Sequence, residues 1–169
     1  MKTAAIIGAG ALGMLFGEKL IDHYGKENIS FPMDDAHYAK HKHDRYTVNG
    51  RTMDARITSI EEACPVDLLI IATKYNGLDA AIRMADGFMD EHTVIISLLN
   101  GIISEQILSS SLGAEHVLGC VALGMDATRD GTTLHYSSPG KLQLGTLTAG
   151  QEQLLQETAA YLQDAGIVV

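Results

Sequence analysis

Six residues near the N-terminus, Gly8-Ala9-Gly10-Ala11-Leu12-Gly13, have the spacing of a turn that carries backbone up to a pyrophosphate. Gly8 permits a tight turn, and Gly10 leaves open the space where a Cβ would block a phosphate. Gly13 lets a following helix lie close on a sheet. Two later positions carry groups suited to an anion or a carbonyl. Lys74, in Thr73-Lys74-Tyr75, follows a long apolar run. Its ammonium could hold a phosphate, a carboxylate or a carbonyl oxygen, or stand in solvent as loop lysines do. Asn100, before Gly101, could present its amide to a hydroxyl or carbonyl, or simply begin a turn or a helix. Asp34 and Asp35 stand about twenty residues past the glycines, where a dinucleotide fold places the residue that reads the adenosine ribose. His37 and His41, four apart, could share a helix face as metal ligands do. No carboxylate or cysteine set of known spacing accompanies them, so a solvated connecting helix is the preferred reading. No Ser/His/Asp or Cys/His set has support, and no carboxylate pair suggests glycoside chemistry.

These residues need elements to position them. Thr3-Ala4-Ala5-Ile6-Ile7 reads as a buried strand ahead of the glycines. Ala11 to Tyr24 reads as a helix behind them, with Leu12, Leu15, Phe16, Lys19, Leu20 and His23 on one side. The uncompensated N–H groups and positive dipole end of that helix, from Ala11 to Gly13, would face the phosphates. Asn28 to Phe31 reads as a second strand closed by Pro32, and Arg56-Ile57-Thr58 as a further one. Tyr46 to Met53 is a hairpin signal around Asn49-Gly50. Val66 to Ala72 is the strongest buried-strand signal, with a helix over Leu78 to Phe88. Thr93 to Leu99, with a helix over Glu105 to Ser110, repeats the unit. Alternation of this kind implies right-handed parallel crossovers. The short strands 117–124, 132–136 and 141–144 read as an antiparallel extension on the sheet's edge. Gln151 to Asp164 is a last helix, with Leu154, Leu155, Thr158, Tyr161 and Leu162 inward and Gly166 ending it. The expected fold is α/β: a Rossmann-like, doubly wound, mainly parallel sheet with an antiparallel edge, as one domain over 1–169.

Composition narrows the function classes. The net charge of −9 argues against nucleic acid as the main partner, since phosphate backbones need a basic face. No apolar run is long enough to span a bilayer, and the N-terminus runs directly into strand and glycine turn rather than a signal peptide. Cys64 and Cys120 are far apart beside apolar runs and read as reduced core residues. A cytoplasmic protein is expected.

GAGALG at 8–13, ATK at 72–74, LLNG at 98–101 and GMDATRDGTTLHYSSPGKLQLG at 124–145 together resemble the ketopantoate reductase (2-dehydropantoate 2-reductase) family. The resemblance runs in order along the whole chain. It implies Gly8, Gly10 and Gly13 at the pyrophosphate, and Lys74 and Asn100 as catalytic-cleft residues near the nicotinamide and a small 2-keto acid. Thr73 and Asp34 join the cofactor-binding set. It implies NADPH as cofactor, with an arginine at the second strand's end gripping the 2′-phosphate. Here Met33-Asp34-Asp35 stands at that place, which leaves NADH open, while Lys40, Lys42 and Arg45 follow closely and could fold back onto a phosphate. No metal is implied. The family's proton-donating lysine, and the serine and glutamate that help hold substrate, belong to an all-helical domain expected beyond residue 169. An uncovered apolar face along the last helix and Ile167-Val168-Val169 is then expected to drive homo-oligomerisation. The rival readings are a reductase of another keto acid and a non-catalytic dinucleotide-binding module that senses redox state.

Overall fold

Apolar residues in β1 (Ala4–Ile7) are buried on both faces, as a central parallel strand requires. The computed structural model describes residues 1–101 and 103–169. In chain order there follow α1 (Ala11–Tyr24), β2 (Ile29–Met33), α2 (Asp35–His41), β3 (Tyr46–Val48), β4 (Arg51–Met53) and β5 (Arg56–Ser59). Then come β6 (Leu68–Ile71), α3 (Leu78–Ala85), β7 (Val94–Ser97) and α4 (Ile103–Leu112). The last elements are β8 (Gly119–Met125), β9 (Thr128–Asp130), β10 (Thr133–His135), β11 (Pro139–Gly145) and α5 (Glu152–Asp164). The central sheet has the order β5-β2-β1-β6-β7, all parallel. The chain reverses direction across the sheet between β1 and β6, which makes that edge the topological switch point.

Side-chain alternation divides the core in two. Ala4 and Ile6 of β1 and Leu68 and Ile70 of β6 pack with α1 and α5. Ala5, Ile7, Leu69 and Ile71 pack with α3 and with Leu108 of α4. Each such Ile or Leu side chain contributes about 1.5–3 kcal/mol of burial, and covering both faces makes the sheet doubly wound. Asp67 fastens the start of β6 to the N-terminus by accepting from Lys2 N, Thr3 N and Thr3 Oγ1 at 2.6, 2.9 and 3.1 Å. Burial would raise its pKa, and these hydrogen bonds outweigh burial and lower it.

Four expectations need correction. First, β10 does not extend the central sheet: it pairs parallel with β3 and antiparallel with β9 in a separate sheet ordered β4-β3-β10-β9. β8 and β11 do form the antiparallel edge pair, joined to the central sheet by a parallel bridge between Ile95 and Val117. Second, α1 is not one-sided. With the central sheet on one flank and β3 and β10 on the other, it buries Met14, Leu15, Phe16, Leu20, Ile21 and even Glu18, while His23 is exposed. Third, Cys64 is exposed on the connector before Pro65, and Cys120 alone is a core residue. Fourth, the inward side of α5 is covered and Ile167 is buried, its neighbour Val168 accepting a hydrogen bond from Leu142 N. The exposed apolar residues in that region are Val121, Leu123 and Leu147, together with Val168.

Other expectations hold. The 46–53 hairpin turns through Asn49 (φ 48°) and Gly50 (φ 80°), both in the left-handed region that a type I′ turn needs. β2 runs one residue past Pro32, which pairs towards β5, where β1 no longer reaches. Among the described residues, no helix is long and apolar enough to cross a membrane.

Candidate functional site

Gly8 sits at φ +114°, and a Cβ there would come within 2.7 Å of the Ala72 carbonyl. A Cβ on Gly13 would collide with the Gly8 carbonyl oxygen. Both glycines are therefore demanded by the protein's own packing. Gly10 differs: its φ is −73°, which any residue adopts, and a Cβ there meets nothing nearer than Ala72 O at 3.5 Å. The space beside Gly10 is left open by the fold, which is what a phosphate approaching the backbone needs. Gly10 is also the N-cap of α1 and offers no side-chain cap; the first turn holds no acidic residue. The first intrahelical donor is Met14 N, to Gly10 O at 2.9 Å. The N–H groups of Ala11, Leu12 and Gly13 thus lie at an uncompensated positive helix end, the arrangement that binds phosphate.

Strand register sets the rest of the rim. Ile7 is opposite Ile71, and Ile71 is opposite Ser97. Three residues beyond these partners stand Gly10, Lys74 and Asn100, so the three lie at one sheet edge on adjacent strands. Lys74 and Asn100 are both exposed, and neither has an ion-pair or hydrogen-bond partner among the described side chains. The Asn100 turn is secured from behind. Leu99 N donates to Ser97 Oγ, Ser97 Oγ to Ser104 Oγ at 3.0 Å, and Ser104 Oγ to the buried Glu105 carboxylate at 2.8 Å. Cys120 lies near that carboxylate; burial, and then the charge of Glu105, push its thiol up to about 12, so it is no nucleophile.

A cavity of about 280 Å³ opens beside the glycine turn, lined by Ile7, Gly8, Ala9 and the end of β2 from Phe31 to Asp34 on one side. Its other walls include Thr73, Ala81, Met84, His37, His41, the buried Tyr46 and Arg129. The Thr73 hydroxyl is buried without a hydrogen-bond partner among the described residues. An orphaned hydroxyl on an apolar cavity next to an open phosphate turn suits the adenosine half of a dinucleotide. A larger hollow of about 770 Å³ between α4 and the β8–β11 pair touches neither the glycine turn nor Lys74 nor Asn100.

Asp34 stands at the predicted place but is already engaged. It N-caps α2 by accepting from His37 N at 2.9 Å, and its carboxylate meets His37 Nδ1 at 2.8 and 2.9 Å. The His37 backbone N–H lowers its pKa most, and the His37 ring adds to this. His41 pairs with Asp44 at 2.7 Å. Among the described residues no cluster of three or more His, Cys, Asp or Glu side chains is arranged to hold a metal ion. Asp35 lies in the first turn of α2 and does not line the cavity, and Lys40, Lys42 and Arg45 do not line it either. The cation that does is Arg129, which donates from Nη1 to Ala9 O and from Nε to Gly131 O at 2.7 Å. Nothing local in the sequence links it to a glycine loop 120 residues away, so no motif announces it.

The comparisons with known proteins fit this geometry. A family model described as ketopantoate reductase PanE/ApbA matches residues 4–149. A curated 2-dehydropantoate 2-reductase of Lactococcus lactis is 25% identical over 170 residues, which cover 96% of this chain and 54% of that protein. The crystal structure of 2-dehydropantoate 2-reductase from Geobacter metallireducens superposes with a TM-score of 0.81 at 25% identity, over 98% of this chain and 56% of the other. A ternary structure of D-mandelate dehydrogenase with NADH and anilino(oxo)acetate shares the fold, with a TM-score of 0.84 at 24% identity over 98% and 55% of the two chains. The chain spans about half the length of the relatives it matches.

Proposed function

We propose for this chain, which belongs to the ketopantoate reductase family, the role of the dinucleotide-holding wall in an NADPH-dependent reduction of 2-dehydropantoate to pantoate. The observation that carries the reading is the rim of Gly10, Lys74 and Asn100 at one sheet edge, beside an uncapped helix start. The N–H groups of Ala11, Leu12 and Gly13 hold the pyrophosphate, and Gly10 leaves it room. Thr73 and the cavity behind it receive the adenosine. A bound nicotinamide dinucleotide supplies the hydride.

Lys74 offers a positive charge to the keto acid's carboxylate or carbonyl oxygen, and the Asn100 amide orients the substrate by hydrogen bonding. The Ser97–Ser104–Glu105 chain of hydrogen bonds keeps the Asn100 turn in place. The family resemblance implies that the proton for the developing alkoxide comes from a lysine of a helical domain. A second reading, NADH with another 2-keto acid, rests on Asp34, whose carboxylate at the end of β2 suits ribose hydroxyls and opposes a 2′-phosphate.

Calorimetric titration of NADPH and NADH into the chain tests the cofactor assignment. Binding of a reduced nicotinamide dinucleotide is expected, and it should be lost in Gly10→Val. Equal affinity in a folded Gly10→Val variant would sink it.

A further inference from the structure

We infer that Arg129, delivered from β9 of the second sheet, is the residue that reads the 2′-phosphate on the adenosine ribose, making this chain selective for NADPH over NADH. The inference rests on the dinucleotide reading above. A fold of this kind selects NADPH when a guanidinium stands near the end of the second strand, and NADH when a carboxylate takes the ribose hydroxyls. The end of β2 here supplies Asp34 and no arginine. The cavity at that strand end nevertheless has a permanent cation, because Arg129 reaches it from the opposite end of the sequence.

The guanidinium is anchored without being neutralised. Its Nε donates to Gly131 O and its Nη1 to Ala9 O, both carbonyls, and among the described residues it makes no ion pair. Those bonds fix the plane of the group and leave the remaining N–H donors, including both on Nη2, for an anion. The Ala9 contact matters in a second way. A carbonyl oxygen facing the cavity would repel a phosphate, and the guanidinium covers it.

Asp34 is the opposing charge. His37 meets both of its oxygens, so the carboxylate that lines the cavity is tied up while the arginine is not. The pyrophosphate has its own place on the N–H groups at the start of α1, and the cavity that Arg129 lines continues from Ala9 to Asp34 at the end of β2. Sequence proximity points instead to Lys40, Lys42 and Arg45, none of which lines the cavity.

The test is calorimetry on the full chain with NADPH, NADH, adenosine 2′,5′-bisphosphate and 5′-AMP as probes. Wild type should bind the bisphosphate more tightly than 5′-AMP. Arg129→Ala should weaken NADPH by about ten-fold or more and NADH by less than about three-fold, as loss of a charge-assisted bidentate contact implies. Arg129→Lys should retain part of the preference. Circular dichroism and the melting temperature check that each variant folds. If Arg129→Ala does not fold, Arg129→Lys and the two wild-type adenosine titrations still decide the matter. An unchanged NADPH-to-NADH ratio in folded variants, or equal losses for both cofactors, overturns the inference and leaves Arg129 as a brace on the glycine loop. Equal wild-type affinity for the bisphosphate and 5′-AMP overturns it as well. Wild type that binds neither dinucleotide overturns the parent reading instead.

Discussion

Three glycines share one motif, yet the fold needs only two of them. Gly8→Ala forces a left-handed φ on a residue whose Cβ would sit 2.7 Å from Ala72 backbone, and Gly13→Ala drives a methyl into the Gly8 carbonyl. Each should cost about 1–3 kcal/mol, lowering the melting temperature by several degrees. Gly10→Val has room and an ordinary φ, so it should lose at most about 1 kcal/mol as a poorer helix cap. Its dinucleotide affinity should nevertheless fall by ~100-fold, equivalent to ~3 kcal/mol. Melting curves beside calorimetry separate the two classes. Asp34 allows a similar separation. Asp34→Ala removes the cap of α2 and should cost about 1 kcal/mol, whereas Asp34→Asn keeps a cap without the charge. Because the folded-state pKa of Asp34 is lowered, its contribution is present above the unfolded value near pH ~4 and is lost as pH falls through the folded value. Melts of wild type and Asp34→Asn should therefore converge in acid. At neutral pH, Asp34→Asn should raise NADPH affinity relative to NADH by lifting the repulsion of a 2′-phosphate.

At the scale of elements, α1 carries more than its motif. It lies between the central sheet and the sheet of β3 and β10, held to the latter by Arg51, which meets Glu18 at 2.6 Å and Asp22 at 2.8 Å. The Tyr136 hydroxyl donates to the other Glu18 oxygen at 3.2 Å. Arg51→Ala would leave Glu18 buried without its cation, and a loss of about 1–3 kcal/mol is expected. Denaturant titration measures it, and the Glu18→Gln/Arg51→Ala double variant should recover part of the loss. Of this second sheet, the first hairpin and the strand at 132–136 were legible, but not the pairing that joins them. The strands of the central sheet announced themselves as continuous apolar runs, and their common direction followed from the alternation with helices. Asn49-Gly50 declared its own turn. By contrast, β10 is three residues long, and its partner β3 lies far back in sequence, so no local pattern distinguishes it from β8 and β11. The same distance hid Arg129. The local strand pattern was enough to bring Gly10, Lys74 and Asn100 to one sheet edge, whereas bringing Arg129 to the cavity required the tertiary pairing of β9 and β10. Cys64 was misread for a related reason: an apolar run beside a cysteine says little when a proline intervenes and turns the chain.

For the whole molecule, the proposed function makes one edge of the sheet a single wall of a cleft. Hydride transfer to a ketone requires a proton for the developing alkoxide and exclusion of water around the reacting carbon. Lys74 is exposed at the rim, with no partner among the described residues to fix its ammonium, which suits it to anion binding better than to timed proton donation. The resemblance to ketopantoate reductases assigns the acid to a lysine of a helical domain, and the relatives are about twice as long as this chain. The 169-residue chain should therefore bind dinucleotide yet oxidise NADPH no faster with 2-dehydropantoate than without it. Its surface carries a second expectation. Val121 and Leu123 are 48% and 38% exposed on the same side of β8, and Leu147 at 47% stands against Gly119 at the strand's start. That row is apolar but small, so association through it should be weak and dependent on concentration. Light scattering across a dilution series should show monomer giving way to a larger species. Val121→Thr with Leu123→Lys should hold the chain monomeric and leave cofactor affinity unchanged, because β8 does not reach the glycine turn. Sustained turnover by a monomeric chain would move the proton donor back inside these residues, with Lys74 as the first group to replace.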